Sequence, residues 1–494
     1  MAYPQPTQVA PWYLRNINQA LALDEATGNV YVRTGIETGN LVVTGNVTIP
    51  GNINTQVQSV GNIDISGNTM PSTVYQGTDP WVVSGTITSA LGGTNTDSFG
   101  RLRVSNPYTL FDSKNRYYDH SQFSNTTSGT ANITYDANSS TFNLNVGSAS
   151  GDKVYNQSFL NFPYQPGKSL LILETFSMNA KKSGLRQRVG YFTWQNGIYF
   201  QMAGDATDGT DKAFVIRSFS SGSIVENIVY QKDWNGDKLD GSGASGITLE
   251  PTLVQIFWID IEWLGVGSVR CGFVIDGQFI LCHSFHHANT ANIAGETDNT
   301  TTYMTTATLP LRYEIENTGA SGSSSALRQI CQTVMSEGGF NEITRTETAG
   351  TGVNDMTLSS GNVYYPVVSV RLASGRTEAI VVPNQVDILG VGEAYYRWVL
   401  LRNATLTGAT WENTSASGTV QIDYGARGNA VTGGSEIQSG YAFSKTSSFL
   451  TDGDIFKGQL GRTIGNVSDT LTLAITASQN SKQVYAQFGW EELS

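Results

Sequence analysis

The chain has 494 residues, a length that suggests roughly two to four domains and leaves ample room for a sizeable core. Only 14% of residues are charged, and the 53 glycines with abundant Thr, Ser and Asn replace the Glu, Lys and Arg that long solvated helices require. A net charge of −12 without a long basic run excludes a grip on a phosphate backbone, so no nucleic-acid partner is expected.

In chain order, the start from Met1 to Thr7 lacks a basic segment followed by an apolar one, so no signal peptide is expected. A short helix or turn is predicted over Tyr13–Leu23. Gly-Asn then recurs at Gly39, Gly45, Gly51, Gly61 and Gly67, between short alternating segments such as Leu41–Thr44. Asp64 is the sole charge between Gly39 and Thr78. A strand-turn repeat this short cannot bury its apolar side alone and must stack on neighbours or on other chains. Trp81 follows a Thr-Asp-Pro turn, and a Gly-rich loop precedes Phe99.

From 99 to 395 many short strands separated by Gly, Asn, Ser and Asp turns predict a β-sandwich of jelly-roll type. The clearest hairpin joins Ser268–Ile275 to Gln278–Phe285 across Asp276-Gly277, with Gln255–Leu264 leading into it. Leu327, Ile330, Cys331, Val334 and Met335 fall on one stripe before Gly338-Gly339 and predict one helix over Ser324–Glu337, capping the sandwich. Residues 396–494 alternate again, as in Arg397–Leu401, Thr419–Tyr424 and Thr470–Ile475, and predict a smaller β-domain. The fold class is therefore all-β, with a thin stalk, a sandwich body with one short helix, and a second β-domain. The most apolar stretch, Leu253–Val266, is too short to span a bilayer and is broken by Asp260 and Glu262, so no membrane insertion is expected.

Asp260 and Glu262, two apart on a strand, share a face as paired glycosidase carboxylates do, and a solvated outer face explains them equally well. Cys282-His283 with His286 and His287 places thiol and imidazole together, but no second pair completes a zinc set, and a His-rich surface loop is the better reading. Asp233, Asn235, Asp237 and Asp240 alternate like the start of a calcium loop, yet Lys238 stands where Gly is required and no Glu closes it. A turn tied by Asp and Asn side chains is the simpler account. Cys271, Cys282 and Cys331 are too few for a disulfide framework and read as buried thiols in a reducing compartment. No cofactor fingerprint or nucleophile elbow appears, so neither a cofactor nor catalysis is expected. Loop aromatics remain: Trp194, Tyr199, Trp234 and Trp398, with Tyr396, are candidates to stack on sugars or to pack on a partner.

Three stretches, Phe99–Lys114, Asp233–Gly243, and Leu311–Asn317 with Gln329–Gly339, resemble virion structural proteins of marine tailed phages, those of cyanobacteria in particular. Tyr75–Thr86 is similar to a repeat of phage fibre stalks, and the likeness runs over roughly residues 75–440. It implies a tail, baseplate, head or neck fibre protein, made in the host cytoplasm and located in the virion. Residues 1–38 would dock to other virion proteins, 39–98 would form a homotrimeric stalk, 99–395 the body and 396–494 the terminal β-domain. Trp12, Tyr13, Leu14 and Trp81 are the attachment and assembly candidates. Two further readings stay open: a receptor-binding module for host-surface glycan, and a tailspike that cleaves it through Asp260 and Glu262.

Overall fold

The computed structural model describes residues 21–24, 29–32, 96–98, 106–116, 122–290, 300–341, 343–416, 418–443 and 458–493. The chain divides into two compact units, 1–87 and 88–494. In the first, Leu21–Asp24 and Asn29–Val32 pair antiparallel, with Leu21 opposite Val32. A strand thus occupies the end of the segment predicted as a helix or turn, with Asp24 opposite Asn29 in an antiparallel register. Trp12, Tyr13, Leu14, Trp81 and the Gly-Asn repeat lie outside the described residues.

The second unit contains two sandwiches. A seven-stranded front sheet runs in the order Val225–Tyr230, Lys212–Ser218, Gly197–Gly204, Lys182–Phe192, Leu311–Asn317, Lys153–Ser158, Phe123–Ser128. Behind it an eight-stranded sheet runs Gln278–Phe285, Val269–Ile275, Gln255–Ile261, Ser169–Ser177, Ser325–Glu337, Thr141–Val146, Asn132–Asp136, with Tyr108–Ser113 also paired to Ser325–Glu337. Alternation sends Ile198, Phe200 and Met202 of the front sheet inward against Ile172, Phe176 and Phe257 of the back sheet, which makes one apolar core. The predicted hairpin is present: Asp276 and Gly277 both take positive φ, as a two-residue turn between twisted strands requires.

The chain passes to a second sandwich at 338–343, earlier than the 395/396 boundary read from sequence. Its four-stranded sheet joins Thr344–Gly350, Lys482–Leu493, Met356–Leu358 and Ile380–Val391. Its six-stranded sheet runs Trp411–Asn413, Val420–Asp423, Tyr365–Leu372, Thr470–Ala477, Tyr395–Arg402, Ser435–Phe443. Strands from 344–391 and from 470–493 are hydrogen-bonded partners in both sheets, so a break at 395 would split one core.

Among the described residues the helical structure is a single 3-10 turn, Gln231–Asp233. The predicted helix is instead the strand Ser325–Glu337. A register shift between Gln329 and Gln332 makes the inward set Leu327, Gln329, Gln332 and Val334, spaced two, three and two. That odd step, with glutamine facing inward, breaks the strand period and leaves the apolar residues at helical spacing.

Cys271 and Cys282 are free and buried, and burial pushes both thiols up; Cys331 is exposed. A thiol reagent is therefore expected to modify one of the three cysteines in the native protein and all three after denaturation. Rapid labelling of a second thiol in the native state would contradict this packing.

Candidate functional site

Charge-bearing residues at every second position of the front-sheet strands stand on its outer face. Arg188 and Gln201 are cross-strand partners, as are Arg188 and Glu314, Arg217 and Glu226, and Arg312 and Gln157. They form a continuous ladder. Arg312 pairs with Glu314 at 2.6 Å, Glu314 with Arg188 at 3.3 Å, Arg188 with Glu226 at 3.7 Å, and Glu226 with Arg217 at 2.8 Å. Aromatic rings fill the gaps, with Arg217 over Phe192 and Tyr199 and Arg312 over Tyr155. Burial works to raise the Glu314 carboxyl, but the Arg312 and Arg188 guanidiniums outweigh it and hold it below the ordinary range. Glu226 behaves alike: burial is overcome by its hydrogen bond to Arg217 and the charge of Arg188.

At one end of this ladder, beside Arg312 and Gln157, a cleft of about 560 Å³ opens between the two sandwiches. The first sandwich contributes the turn Thr193–Asn196; the second contributes Arg371, Glu378 and Gln421, and the segment 462–468 contributes Arg462. The turn is locked. Thr193 Oγ1 accepts from the Gln195 and Asn196 amides, each at 3.2 Å, and Arg217 donates to the Thr193 carbonyl at 3.0 Å. The Asn196 side chain ties it to Thr305 at 2.7 Å. On this fixed turn Trp194 is 58% exposed at the cleft wall. Arg371 donates through Nε to Gln421 at 2.9 Å and lies over the Trp411 ring at 4.2 Å. Arg462 is buried, held by Asn466 at 2.7 Å and Thr377 at 3.3 Å. Glu378 is the acidic residue lining the cleft; burial raises its carboxyl and the Arg462 charge offsets that only in part.

Of the aromatics singled out from sequence, Trp194 alone reaches this cleft. Tyr199 is buried on the outer face beneath the ladder and donates to Glu226 at 2.9 Å. Trp234 is buried, stacked on Phe214 at 4.3 Å and bonded to the Val229 carbonyl at 3.2 Å. Trp398 and Tyr396 point into the second core. Burial removes these four as surface contacts: each sits on, or packs under, a strand face that sequence alternation alone does not assign to core or solvent. A second exposed aromatic group, missed from sequence, comprises Tyr441 and Phe443 on the edge strand Ser435–Phe443 of the six-stranded sheet and Tyr395 on the strand paired with it.

The other candidates are dispersed. Asp260 is buried rather than solvated, ion-paired with Arg270 and accepting from Ser169, while Glu262 lies beyond the end of the strand. Three of the four residues of the calcium-like segment turn to backbone instead of to each other. Asp237 accepts from Leu239 and Ser245 amides at 2.9 and 2.7 Å, and Asp240 from Ser242 at 2.9 Å. Asn235 exchanges two bonds with the Ser284 backbone, and Asp233 is exposed. His283 and His287 are buried instead of forming a surface loop. Burial pushes each down to about 4, and His287 stacks on Tyr303 at 3.8 Å. Among the described residues no group of three or more His, Cys, Asp or Glu converges as metal ligands would.

No family model matches the chain, and no curated protein matches it. Among solved structures, the chain is similar to a Bacillus licheniformis β-glucanase at 13% identity, covering 47% of this chain and 99% of that one, with a TM-score of 0.29. It is similar to the Emp47p carbohydrate recognition domain at 8% identity over 46% and 94%, TM-score 0.29. A peanut lectin bound to a 9mer peptide matches at 9% identity over 47% and 98%, TM-score 0.28.

Proposed function

We propose that the chain is a non-catalytic component of a tailed-phage virion that binds a host-surface saccharide in the cleft between its two sandwiches. The observation that carries the binding reading is Trp194, an exposed indole on a hydrogen-bonded turn at the wall of a polar cleft. A flat ring stacks against the apolar face of a pyranose, while the side chains of Gln157 and Gln421 offer planar donors and acceptors to ring hydroxyls. The volume suits a short oligosaccharide. Placement in a particle, and threefold assembly through the Gly-Asn repeat, rest on the resemblance of residues 75–440 and on the charge-poor repeat itself.

Binding is favoured over cleavage by the state of the carboxylates. Glycoside hydrolysis uses two, one of them a proton donor with a raised pKa. Glu314 and Glu226 are held in their ionised form by arginine, and among the described residues Glu378 is the one carboxylate that lines the cleft. The test is a glycan array probed with the full chain and with Trp194→Ala. Loss of the indole is expected to weaken binding at least about tenfold, in line with the ~1–3 kcal/mol of aromatic stacking on planar ligands, and to leave the melting temperature unchanged. An array that stays blank, or a variant that binds as well as the parent, removes the cleft as the site.

A further inference from the structure

We propose that the cleft recognises an anionic saccharide, taking a uronate carboxylate or a sulfate ester among Arg312, Arg371 and Arg462. This rests on the glycan-binding reading and narrows its ligand class. All three guanidiniums line the cleft, and the chain around them carries a net charge of −12. A cationic site in an acidic molecule is a local arrangement, not a consequence of bulk composition.

The partners of these arginines show what is missing. Arg462 is 3% exposed, yet its bonds go to neutral oxygens: Asn466 at 2.7 Å, Thr377 at 3.3 Å and Asn161 at 3.5 Å. Its Nε–H has no hydrogen-bond partner. Arg312, also 3% exposed, must share Glu314 with Arg188, and its Nε–H is likewise unpartnered. Arg371 spends its Nε on Gln421, which leaves its two terminal nitrogens without protein hydrogen bonds. Burying guanidinium charges whose partners are neutral oxygens, or one carboxylate shared between two arginines, is costly unless an anion faces them. Burial lowers the Arg462 guanidinium; the Glu378 charge offsets this in part, and the neighbouring charge of Arg312 adds to the lowering. Glu378 is not that anion: its carboxyl is raised by burial, and it lies beyond ion-pair distance of these arginines. Guanidinium geometry suits a planar carboxylate or a sulfate oxygen pair.

The experiment uses the full chain on an array of neutral, uronate-bearing and sulfated oligosaccharides, with Arg371→Gln as the variant, since that half-buried side chain can be changed without opening the core. Arg371→Gln is expected to weaken the acidic ligands at least tenfold and the neutral ones less than twofold, and the affinity of the parent for acidic ligands should fall steeply with added salt. The uronate and sulfate arms distinguish the two anions. Equal binding of neutral and acidic ligands, or binding confined to neutral ones, overturns the anion site while leaving the cleft reading in place. Binding to no saccharide overturns both.

Discussion

Replacing Glu314 with alanine is expected to lower the free energy of unfolding at neutral pH by about 3–5 kcal/mol, the usual penalty for removing one member of a buried ion pair. Glu314 is the acidic centre of the front-sheet ladder, 2.6 Å from Arg312 and 3.3 Å from Arg188, and all three side chains are nearly sealed from water. Its removal strands two guanidiniums at once, since Arg312 then keeps only Gln157 and Arg188 must rely on Gln201 and a more distant Glu226. Replacing Arg188, Glu314 and Arg312 together with apolar residues of similar volume should recover most of the loss, because the cost lies in the uncompensated charge and not in the missing attraction. Urea unfolding of the single and triple variants measures both values. A loss below about 1 kcal/mol for Glu314→Ala would mean the ladder behaves as an exposed salt-bridge set, and its burial would carry no energetic weight. The acid limb gives a second check. The Glu314 carboxyl lies below its ordinary range, so its contribution is present at neutral pH and is lost as pH falls through that lowered value.

What could be read from sequence divides along the same physical lines. Local signals survived: Asp276-Gly277 forms its turn, and Arg397–Leu401 and Thr470–Ile475 lie within strands Tyr395–Arg402 and Thr470–Ala477. These depend on a few adjacent residues and the two-residue period. The second sandwich was misplaced because its sheets pair 344–391 with 470–493, a long-range registration that leaves no local trace. Trp194 was legible as an aromatic in a turn, whereas its neighbours in the cleft were not. Arg312, Arg371 and Arg462 come from three separated segments, and nothing near any one of them announces the others. A partial signal existed in Leu311–Asn317, where Arg312, Glu314 and Glu316 alternate with apolar residues. Such alternation normally means a solvated face; here both signs of charge recur across neighbouring strands and pair into a buried layer.

The register shift that disguised Ser325–Glu337 as a helix leads to the second large effect, at Glu174. The shift brings Gln332 directly opposite Glu174, whose side chain points between the sheets with Ile172 and Phe176. Glu174 is fully buried, and neither carboxyl oxygen has a hydrogen-bond partner; Gln332 Oε1 and the Tyr313 hydroxyl are also unsatisfied. Burial pushes this carboxyl well above its ordinary 4.5, so the folded protein keeps this proton to higher pH than the unfolded chain does. The sign follows. With a raised pKa in the folded state, stability is greatest below the ordinary carboxyl value and declines as pH rises, by about 1.4 kcal/mol per pH unit, until the folded-state value is passed. Glu174→Gln keeps the shape and removes the titration. Its unfolding free energy should therefore match the parent near pH 4 and exceed it by a margin that widens as pH rises, levelling where the buried acid finally ionises. Parallel curves for the two proteins across that range would show that Glu174 is solvated or paired in solution. A widening gap would mean that the polar layer at the bulge opposes the stability of the core around it, and that the bulge survives for a reason other than packing energy.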